Sequence, residues 1–188
     1  MHFPVPTMPE IAFLGRSNVG KSSVLNSLVG EKIARTSGTP GRTRTINFFE
    51  VRRPGQPRPE MMFADLPGYG YAKLPRELTA EWPKFIEPYL NTREVLALCV
   101  ALVDCKIATQ ASDLQLVDWL RTNDKPFVLV ATKADRLSGN ERVTALKRLA
   151  GDFGLDRVLP YSAKTTVGRD ELWQVIWEAA GALVQRGA

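Results

Sequence analysis

Eight residues near the start of the chain have the types and spacing of a phosphate-binding loop. Residues 15–22 read Gly-Arg-Ser-Asn-Val-Gly-Lys-Ser, which matches the pattern G-x-x-x-x-G-K-[ST]. The two glycines let the backbone bend so that successive N–H groups surround an anion. Lys21 adds a charge for the β- and γ-phosphates, and the Ser22 hydroxyl group can bind Mg²⁺. The pattern predicts phosphate binding, and the alternative is a tight turn without a ligand.

A second segment, Asp65-Leu66-Pro67-Gly68, follows a predicted strand. A carboxylate at this position can hold Mg²⁺ directly or through a water molecule. The N–H group of Gly68 can approach the terminal phosphate of a nucleotide. Because a D-x-x-G match often occurs by chance, the prediction depends on its place after a strand and after the phosphate loop.

Two further polar segments could read a nucleotide base. In Thr132-Lys133-Ala134-Asp135, the carboxylate of Asp135 could accept hydrogen bonds from the ring N–H and the exocyclic amine of guanine. Adenine lacks that donor pair and would leave a buried carboxylate unpaired. Lys133 would lay its alkyl chain along the base, and the backbone of residues 162–164 could meet a base oxygen. Each segment alone could be a polar loop or a helix cap, but four motifs in order make coincidence improbable.

Alternating strands and helices are predicted to position these motifs. The predicted strands are residues 11–14, 44–51, 61–64, 95–103, 127–131 and 158–161. The predicted helices are residues 21–28, 76–90, 111–120, 141–153 and 171–183, with Val143, Leu146, Leu149 and Phe153 on the buried face of the fourth. Residues 31–43 and 66–75 are predicted to be mobile loops. The pattern is typical of a doubly wound α/β fold with a mostly parallel six-stranded sheet and one antiparallel edge strand.

Composition restricts the other possibilities. A chain of 188 residues suits one α/β domain with a sizeable core. No apolar run approaches the roughly 18 residues of a membrane span, and residues 1–10 lack the apolar region of a secretory signal. Cys99 and Cys105 are expected to be buried or free thiols in a reducing cytosol. His2 is the only histidine, so neither a zinc site nor a histidine-based triad is expected.

The positive charge is concentrated in the first third of the chain. Residues 1–60 contain nine Lys and Arg against four Asp and Glu, whereas residues 61–188 contain sixteen of each kind. This concentration favours an anionic partner about as much as it favours a solvated face. The arginines that contribute most are Arg35, Arg42, Arg44, Arg52, Arg53 and Arg58.

The motifs together resemble those of a known protein family. Residues 15–22, Thr43, 65–68, 132–135 and 162–164 resemble the five sequence boxes of the small translational GTPases, related to Era and TrmE. More narrowly, GRSNVGKSS, SGTPGRTRTINFFEV, DLPGYGYAKL and ATKADRL resemble the EngB (YihA/YsxC) family of bacterial ribosome-assembly GTPases, from about Pro9 to Leu183. The resemblance implies a three-layer P-loop GTPase fold, with residues 1–188 forming a single GTP-binding domain in the cytoplasm. Thr132 stands where most GTPases have Asn, which makes one side-chain contact less certain.

The resemblance also implies a set of site residues. It implies contacts to GTP or GDP by Gly15, Arg16, Ser17, Asn18, Val19, Gly20, Lys21, Ser22, Ser23, Gly41, Arg42, Thr43, Arg44, Asp65, Leu66, Pro67, Gly68, Thr132, Lys133, Ala134, Asp135, Tyr161, Ser162 and Ala163. The expected Mg²⁺ ligands are Ser22, Thr43 and Asp65. Catalytic roles are expected for Lys21, Thr43, Asn18 and Gly68, with Thr43 arriving when the first mobile loop closes over GTP.

Two positions bear on the rate of hydrolysis. Ras-like enzymes orient the attacking water with a Gln after the D-x-x-G glycine, but this chain has Tyr69 there, so slow intrinsic hydrolysis is expected. In TrmE-like relatives an Asn at the position of Asn18 binds K⁺, whereas an Asn can also be present because it tolerates turn conformations. Arg42 and Arg44 could act as arginine fingers or contact an anion on the outer face.

The resemblance implies the large ribosomal subunit or its precursor as the partner of a monomeric protein, without a membrane, and possibly a link to cell division and septation. Contact of the basic first third with rRNA is consistent with this partner. Tyr69, Tyr71 and Trp82 could stack on bases or belong to the core. The competing hypotheses are a metabolic P-loop kinase that uses ATP, which Asp135 argues against, and a nucleotide sensor with negligible turnover.

Overall fold

The computed structural model of the chain describes residues 3–34, 45–53, 55–69 and 86–187. Its strands are β1 (Glu10–Gly15), β2 (Asn47–Val51), β3 (Met61–Asp65), β4 (Leu96–Asp104), β5 (Phe127–Thr132) and β6 (Leu159–Pro160). Its helices are α1 (Lys21–Val29), α2 (residues 86–92), α3 (Ala111–Thr122), α4 (Gly139–Phe153) and α5 (Arg169–Gly187). A 3₁₀ turn, Ala134–Arg136, follows β5.

The six strands form one sheet in the order β2-β3-β1-β4-β5-β6. In the described part of the chain, only β2 and β3 pair in the antiparallel direction, as their short proline-rich connection requires, and the other neighbours are parallel. Every residue of β1 and β4 is buried, because these two strands are central and carry apolar side chains on both faces. The predicted mostly parallel sheet with an antiparallel edge strand is therefore confirmed.

Two apolar clusters cover the two faces of the sheet and make the fold three-layered. On one face, α2, α3 and α4 pack through residues such as Tyr89, Leu120 and Phe153. On the other face, α1 and α5 pack through residues such as Leu25 and Ile176. Among the described residues, no helix has the length and apolar character needed to span a bilayer. Cys99 and Cys105 are buried free thiols, as the sequence predicted.

The edge strand β2 is shorter than predicted. Thr45 and Ile46 lie outside it, and Arg44 lies outside the described residues. Pairing ends at Asn47, which faces Asp65 in the antiparallel register. Leu66, the residue after β3, donates its N–H to the Phe13 carbonyl oxygen of β1 at 3.2 Å. The strand ends there because the residues before it have no partner on β3.

The buried face of α4 was predicted wrongly at one position. Val143 is 52% exposed, whereas Ala145, Leu149 and Phe153 are buried. At about 100° per residue, Val143 falls roughly a third of a turn away from the centre of the face formed by these three residues. Ala145 takes the inward position instead, although the predicted face contained only larger apolar residues.

The fold brings the predicted motifs to one edge of the sheet. β1, β3, β4, β5 and β6 run parallel to one another, so their carboxyl ends lie at the same edge. All four predicted motifs follow these ends. This is the edge at which open α/β sheets bind their ligands.

Candidate functional site

The phosphate loop, residues 15–22, joins β1 to α1 through two residues in the left-handed region. Asn18 has φ 64° and Gly20 has φ 106°. Left-handed residues within a loop turn successive N–H groups toward one point and make an anion site. A Cβ atom on Gly15 would lie 2.9 Å from the Val19 side chain, so the glycine is required for close packing of the loop. The loop has the backbone geometry that phosphate binding needs.

Lys21 and Asp65 form an ion pair beside this loop. Lys21 Nζ donates a hydrogen bond to Asp65 Oδ1, and the side chains are only 10% and 6% exposed. Ser22 and Ser23 follow Lys21 in the first turn of α1, where backbone N–H groups have no partner within the helix. The predicted phosphate-binding lysine and the predicted metal-binding carboxylate therefore meet at the same point.

The D-x-x-G segment, Asp65–Gly68, lies directly against the phosphate loop. Leu66 is fully buried. The N–H of Ser17 donates to the Tyr69 carbonyl oxygen at 2.9 Å. A Cβ atom on Gly68 would lie 2.9 Å from the Ser17 nitrogen, so only glycine allows this approach. The backbone of Gly68 is thus held at the loop that receives the phosphates.

Thr132 connects the predicted base-reading segment to the phosphate loop. Its Oγ1 lies 2.7 Å from the Val19 carbonyl oxygen and 3.0 Å from that of Val103. A hydroxyl group carries one proton, so it can fully satisfy only one of these acceptors at a time. Thr132 therefore contacts the phosphate loop through its hydroxyl group.

Lys133 makes a second connection between the same two segments. Its Nζ donates to the Asn18 carbonyl oxygen at 2.8 Å and to Asp104 Oδ2 at 2.7 Å. Its Cε lies 3.9 Å from the position of a Cβ atom on Gly20, so the alkyl chain runs past the phosphate loop. Lys133 itself has φ 59°, a conformation that these contacts stabilise.

Asp135 accepts a hydrogen bond from Ser162 Oγ at 2.7 Å. The Ser162 hydroxyl group lowers the pKa of Asp135, because a hydrogen bond to the carboxylate favours its charged form. Asp135 was expected to be a buried carboxylate, but it is exposed in the structure. The predicted discrimination between bases would therefore require a bound base to bury this carboxylate.

The loop after β6 is ordered around Ser162, which is fully buried. Ser162 Oγ accepts from the N–H groups of Lys164 and Thr165 at 3.2 and 3.1 Å. The Ser162 N–H donates to the Val167 carbonyl oxygen at 2.9 Å. The N–H groups of Ser162 and Lys164 are thus used in hydrogen bonds within the loop. The N–H group of Ala163, which lies between them, could donate to a base oxygen.

Tyr161 and Ala134 contribute to the site mainly through their backbones. The Ala134 N–H donates to the Tyr161 carbonyl oxygen at 3.1 Å, which joins the two base-reading segments. The Tyr161 ring is buried, and its hydroxyl group donates to Ser27 Oγ of α1 at 3.0 Å. The Tyr161 side chain therefore stabilises the scaffold and does not point at the expected base.

Two carboxylates that contact predicted site residues were not predicted from the sequence. Asp104, the partner of Lys133, lies at the carboxyl end of β4, and its place at that edge could have revealed it. Asp113 lies in the first turn of α3, where an acidic residue ordinarily indicates only a helix start. Asp113 contacts the side chains of Arg16 and Tyr69.

Several predicted site residues lie outside the described part of the chain. These are Gly41, Arg42, Thr43 and Arg44, together with Arg35, Tyr71 and Trp82. The remaining predicted residues lie at the edge described above. They are Gly15, Arg16, Ser17, Asn18, Val19, Gly20, Lys21, Ser22, Ser23, Asp65, Leu66, Pro67, Gly68, Thr132, Lys133, Ala134, Asp135, Tyr161, Ser162 and Ala163.

The donors near the phosphate loop fit Mg²⁺. The Ser22 hydroxyl group and the Asp65 carboxylate are hard oxygen ligands. In the described part of the chain no three or more His, Cys, Asp or Glu side chains cluster in a way that would enclose a metal ion. Mg²⁺ that is held by one or two protein oxygens usually keeps several water molecules and binds the phosphate oxygens of a nucleotide.

Comparison with known proteins decides the family. A family model described as "50S ribosome-binding GTPase" matches residues 10–133. The "Probable GTP-binding protein EngB" of Koribacter versatilis (strain Ellin345) is 62% identical over 179 residues, covering 95% of this chain and 88% of the relative. That of Acidobacterium capsulatum is 56% identical over 180 residues, covering 95% and 85%. The chain belongs to the EngB family of GTP-binding proteins.

A solved structure agrees with this assignment. The crystal structure of a probable GTP-binding protein EngB has a TM-score of 0.75 and 25% identity, covering 92% of this chain and 99% of the other. The resemblance inferred from the sequence motifs is confirmed, as is the P-loop GTPase fold. EngB membership makes this chain a GTPase whose ligands are GTP and GDP.

Proposed function

We propose that this GTPase binds GTP together with Mg²⁺, hydrolyses it slowly, and acts as a switch in assembly of the large ribosomal subunit. The observation that carries the proposal is the direct connection of the base-reading segment to the phosphate loop. Thr132 contacts Val19, and Lys133 contacts Asn18. Asp135 and Lys21 are thereby held on one rigid edge, where a single nucleotide could meet both.

The chain's own residues supply binding and charge neutralisation. The Lys21 ammonium group would leave Asp65 and donate to the β- and γ-phosphates. The Gly68 N–H would meet the γ-phosphate. Ser22 and Asp65 would hold Mg²⁺, together with Thr43, which lies outside the described residues. When bound, Mg²⁺ neutralises charge on the phosphates.

The guanine preference is tested by exchanging the carboxylate of Asp135 for an amide. Competition among GTP, GDP and ATP should show guanine selectivity for the wild type. Asp135→Asn should shift the preference toward xanthine nucleotides, because the amide offers a donor where guanine requires an acceptor. A variant that keeps full guanine selectivity would contradict the role of Asp135.

Slow hydrolysis is proposed from the position of Tyr69. Its side chain is buried and its hydroxyl group donates to Asp113 at 3.0 Å, so it offers no amide to orient a water molecule. Orientation of the attacking water is worth orders of magnitude in rate. A single-turnover measurement on the isolated protein should be slow, and a rate comparable to that of an activated GTPase would refute the proposal.

Use of K⁺ is proposed from Asn18, whose side chain is exposed in the phosphate loop. The left-handed φ of 64° is also a conformation that Asn tolerates for its own sake. GTP turnover should therefore be compared in KCl and NaCl, for the wild type and for Asn18→Asp, which retains the turn preference. Equal rates in the two salts would eliminate K⁺ and leave the conformational role.

The partner is proposed to be the large ribosomal subunit or its precursor, bound by a monomer in the cytoplasm, with any role in cell division following from assembly. The matched family description and the basic first third of the chain support contact with rRNA. Arg52 and Arg58 are exposed at the β2–β3 connection. Arg53, in contrast, pairs with Glu60 at 3.2 Å and covers the Trp177 ring.

Sedimentation with 50S particles tests this proposal. The GTP-bound form should sediment with the particles and the GDP-bound form should not, and binding should weaken steeply with salt. Charge reversal at Arg52 and Arg58 should reduce binding. Reversal at Arg157, an exposed residue that pairs with Glu171, serves as the matched control. Binding that is insensitive to salt or to the bound nucleotide would contradict the proposal.

A further inference from the structure

A buried ionic cluster joins the phosphate loop, the D-x-x-G segment and α3. Tyr69 donates its hydroxyl hydrogen to Asp113 Oδ1 at 3.0 Å. Arg16 Nε lies 3.3 Å from Asp113 Oδ2, so the two side chains form an ion pair. Tyr69 is 8% exposed and Asp113 is 3% exposed. The three side chains come from three separate elements, and only Arg16 and Tyr69 lie in or beside a nucleotide motif.

The charges within this cluster are balanced. Burial raises the pKa of Asp113, while the nearby Arg16 guanidinium and the Tyr69 hydroxyl group oppose that rise. A buried carboxylate without such partners would be costly. Burial and the Asp113 charge raise the pKa of Tyr69, so its phenol keeps its proton and acts as the donor. The result is a charge-assisted hydrogen bond, which is stronger than a neutral one.

Tyr69 is held through its backbone as well as its side chain. Its carbonyl oxygen accepts from the Ser17 N–H at 2.9 Å, and Arg16 and Tyr69 form an isolated parallel bridge. On the other side of Gly68, Leu66 is fully buried and its N–H donates a hydrogen bond to the Phe13 carbonyl oxygen. Gly68 is therefore fixed on both sides, where it lies close to Ser17 of the phosphate loop.

We propose that Tyr69 and Asp113 are positioning residues that hold the Gly68 N–H ready for the γ-phosphate. The inference rests on the proposed function, because only a bound GTP presents that phosphate. A donor that is already fixed needs no ordering when the ligand binds, so GTP gains affinity that GDP does not. The preference for GTP over GDP thereby depends on α3, a helix that contains none of the nucleotide motifs.

Tyr69→Phe tests this arrangement because it removes only the hydroxyl group. Affinities for GDP and for a non-hydrolysable GTP analogue should be measured by titration. GDP affinity should stay within about twofold, while affinity for the analogue should fall about tenfold, the scale of ordering one backbone residue. Asp113→Ala should show the same selective loss, and the double variant should lose no more than either single variant. Asp113→Asn keeps an acceptor for Tyr69 and should retain most of the preference.

Tyr89→Phe is the matched control. Tyr89 is a buried tyrosine whose hydroxyl group donates to Glu10 at 2.9 Å, and Glu10 pairs with Arg93. The same three kinds of side chain thus occur at the opposite end of the sheet, where β1 begins. Tyr89→Phe should lower the melting temperature and leave the ratio of GTP-analogue to GDP affinity unchanged.

Three results would overturn the inference. If Tyr69→Phe bound GDP normally and kept the wild-type ratio of GTP-analogue to GDP affinity, the inference would fail while the proposed function would stand. A parallel loss of GDP and analogue affinity that follows the melting temperature would do the same, since it would reduce the cluster to a stabilising role. Failure of the wild type to bind either guanine nucleotide would overturn the proposed function and this inference with it.

Discussion

The hydroxyl group of Thr132 lies 2.7 Å from the carbonyl oxygen of Val19, although the two residues are 113 positions apart in the chain. Thr132 ends β5, and Val19 lies in the middle of the phosphate loop. Both residues are buried. This contact holds the predicted phosphate-binding loop next to the predicted base-reading segment.

Thr132→Val should weaken GDP and GTP-analogue binding equally, by about tenfold. Valine has nearly the same shape but leaves the Val19 carbonyl oxygen without its partner, which costs about 1–3 kcal/mol. The melting temperature should fall by a few degrees. Titration calorimetry and thermal unfolding measure both effects. The control is Thr122→Val, which removes an exposed hydroxyl group on α3 and should change neither the nucleotide affinities nor the melting temperature. A Thr132→Val protein with wild-type affinities would show that the contact with Val19 is dispensable.

The ion pair between Lys21 and Asp65 leads to a prediction about Mg²⁺. Nucleotide binding requires Lys21 to exchange the carboxylate for phosphate, and Asp65 also repels the phosphates. Asp65→Asn should therefore bind GDP more tightly than the wild type when Mg²⁺ is chelated, by about tenfold at effective dielectric constants typical of such sites. Adding Mg²⁺ should strengthen binding in the wild type and much less in the variant.

Asp118→Asn controls for the loss of one acidic charge, because Asp118 is exposed on α3. It should leave both the Mg²⁺-free affinity and the Mg²⁺ response unchanged. If Asp65→Asn instead weakened GDP binding in the absence of Mg²⁺, the Lys21–Asp65 pair would be organising the site rather than competing with the nucleotide.

The sequence predicted the framework of this site because its determinants are local. The glycines, lysine and serine of residues 15–22 follow an apolar strand, and the same is true of Asp65 and Asp135, so each could be assigned to a strand end. Parallel strands then brought those ends together. The observed bounds of β2 differ from the predicted ones because the strand starts at Asn47, where pairing with β3 ends, and not where the β-propensity of the residues changes.

The sequence could not predict contacts that arise between distant elements. Nothing local distinguishes Asp113 from an ordinary acidic residue in the first turn of a helix, and only the folded chain brings it to Tyr69. The exposure of Asp135 also depends on how β5 and β6 end. Val143 was assigned to the buried face because it is apolar and lies three residues before Leu146, whereas the face that packs on the sheet is decided by contacts that are not local.

The hydrogen bond from Ser162 to Asp135 leads to a pH prediction. It lowers the pKa of Asp135, so the folded protein binds fewer protons there than the unfolded chain does. The stability that this hydrogen bond adds is therefore fully present above the pKa of Asp135 in the unfolded chain. It is lost as the pH falls through the pKa of Asp135 in the folded protein. Because guanine recognition needs the charged carboxylate, GDP affinity should fall at a higher pH in Ser162→Ala than in the wild type.

Ser138→Ala is the matched control for this pH profile. Ser138 caps α4 and donates to Glu141 at 2.7 Å, which lowers the pKa of that exposed carboxyl group in the same way. Its removal should leave the pH dependence of GDP affinity unchanged. Titrations of GDP into the three proteins between neutral and acidic pH would measure the shift, and superimposable wild-type and Ser162→Ala profiles would rule out this role of Ser162.

Gly168 tests how the loop after β6 is packed. It has φ 78°, and an added Cβ atom would lie 1.8 Å from the Pro160 carbonyl oxygen. Since backbone cannot move away cheaply, Gly168→Ala should destabilise the protein by about 3–5 kcal/mol and lower its melting temperature by roughly 10 °C. The displaced loop would also disturb the hydrogen bond from Ser162 to Val167, so GDP affinity should fall.

Gly151→Ala is the matched control, because the same substitution is expected to stabilise the protein at this position. Gly151 is exposed in α4, and an added Cβ atom would meet nothing within 4 Å. Because alanine favours a helix over glycine by up to about 1 kcal/mol, this variant should unfold at a temperature a few degrees higher, with unchanged GDP affinity. If thermal unfolding showed that the two variants lose stability alike, the cost at Gly168 could not be assigned to its contact with Pro160.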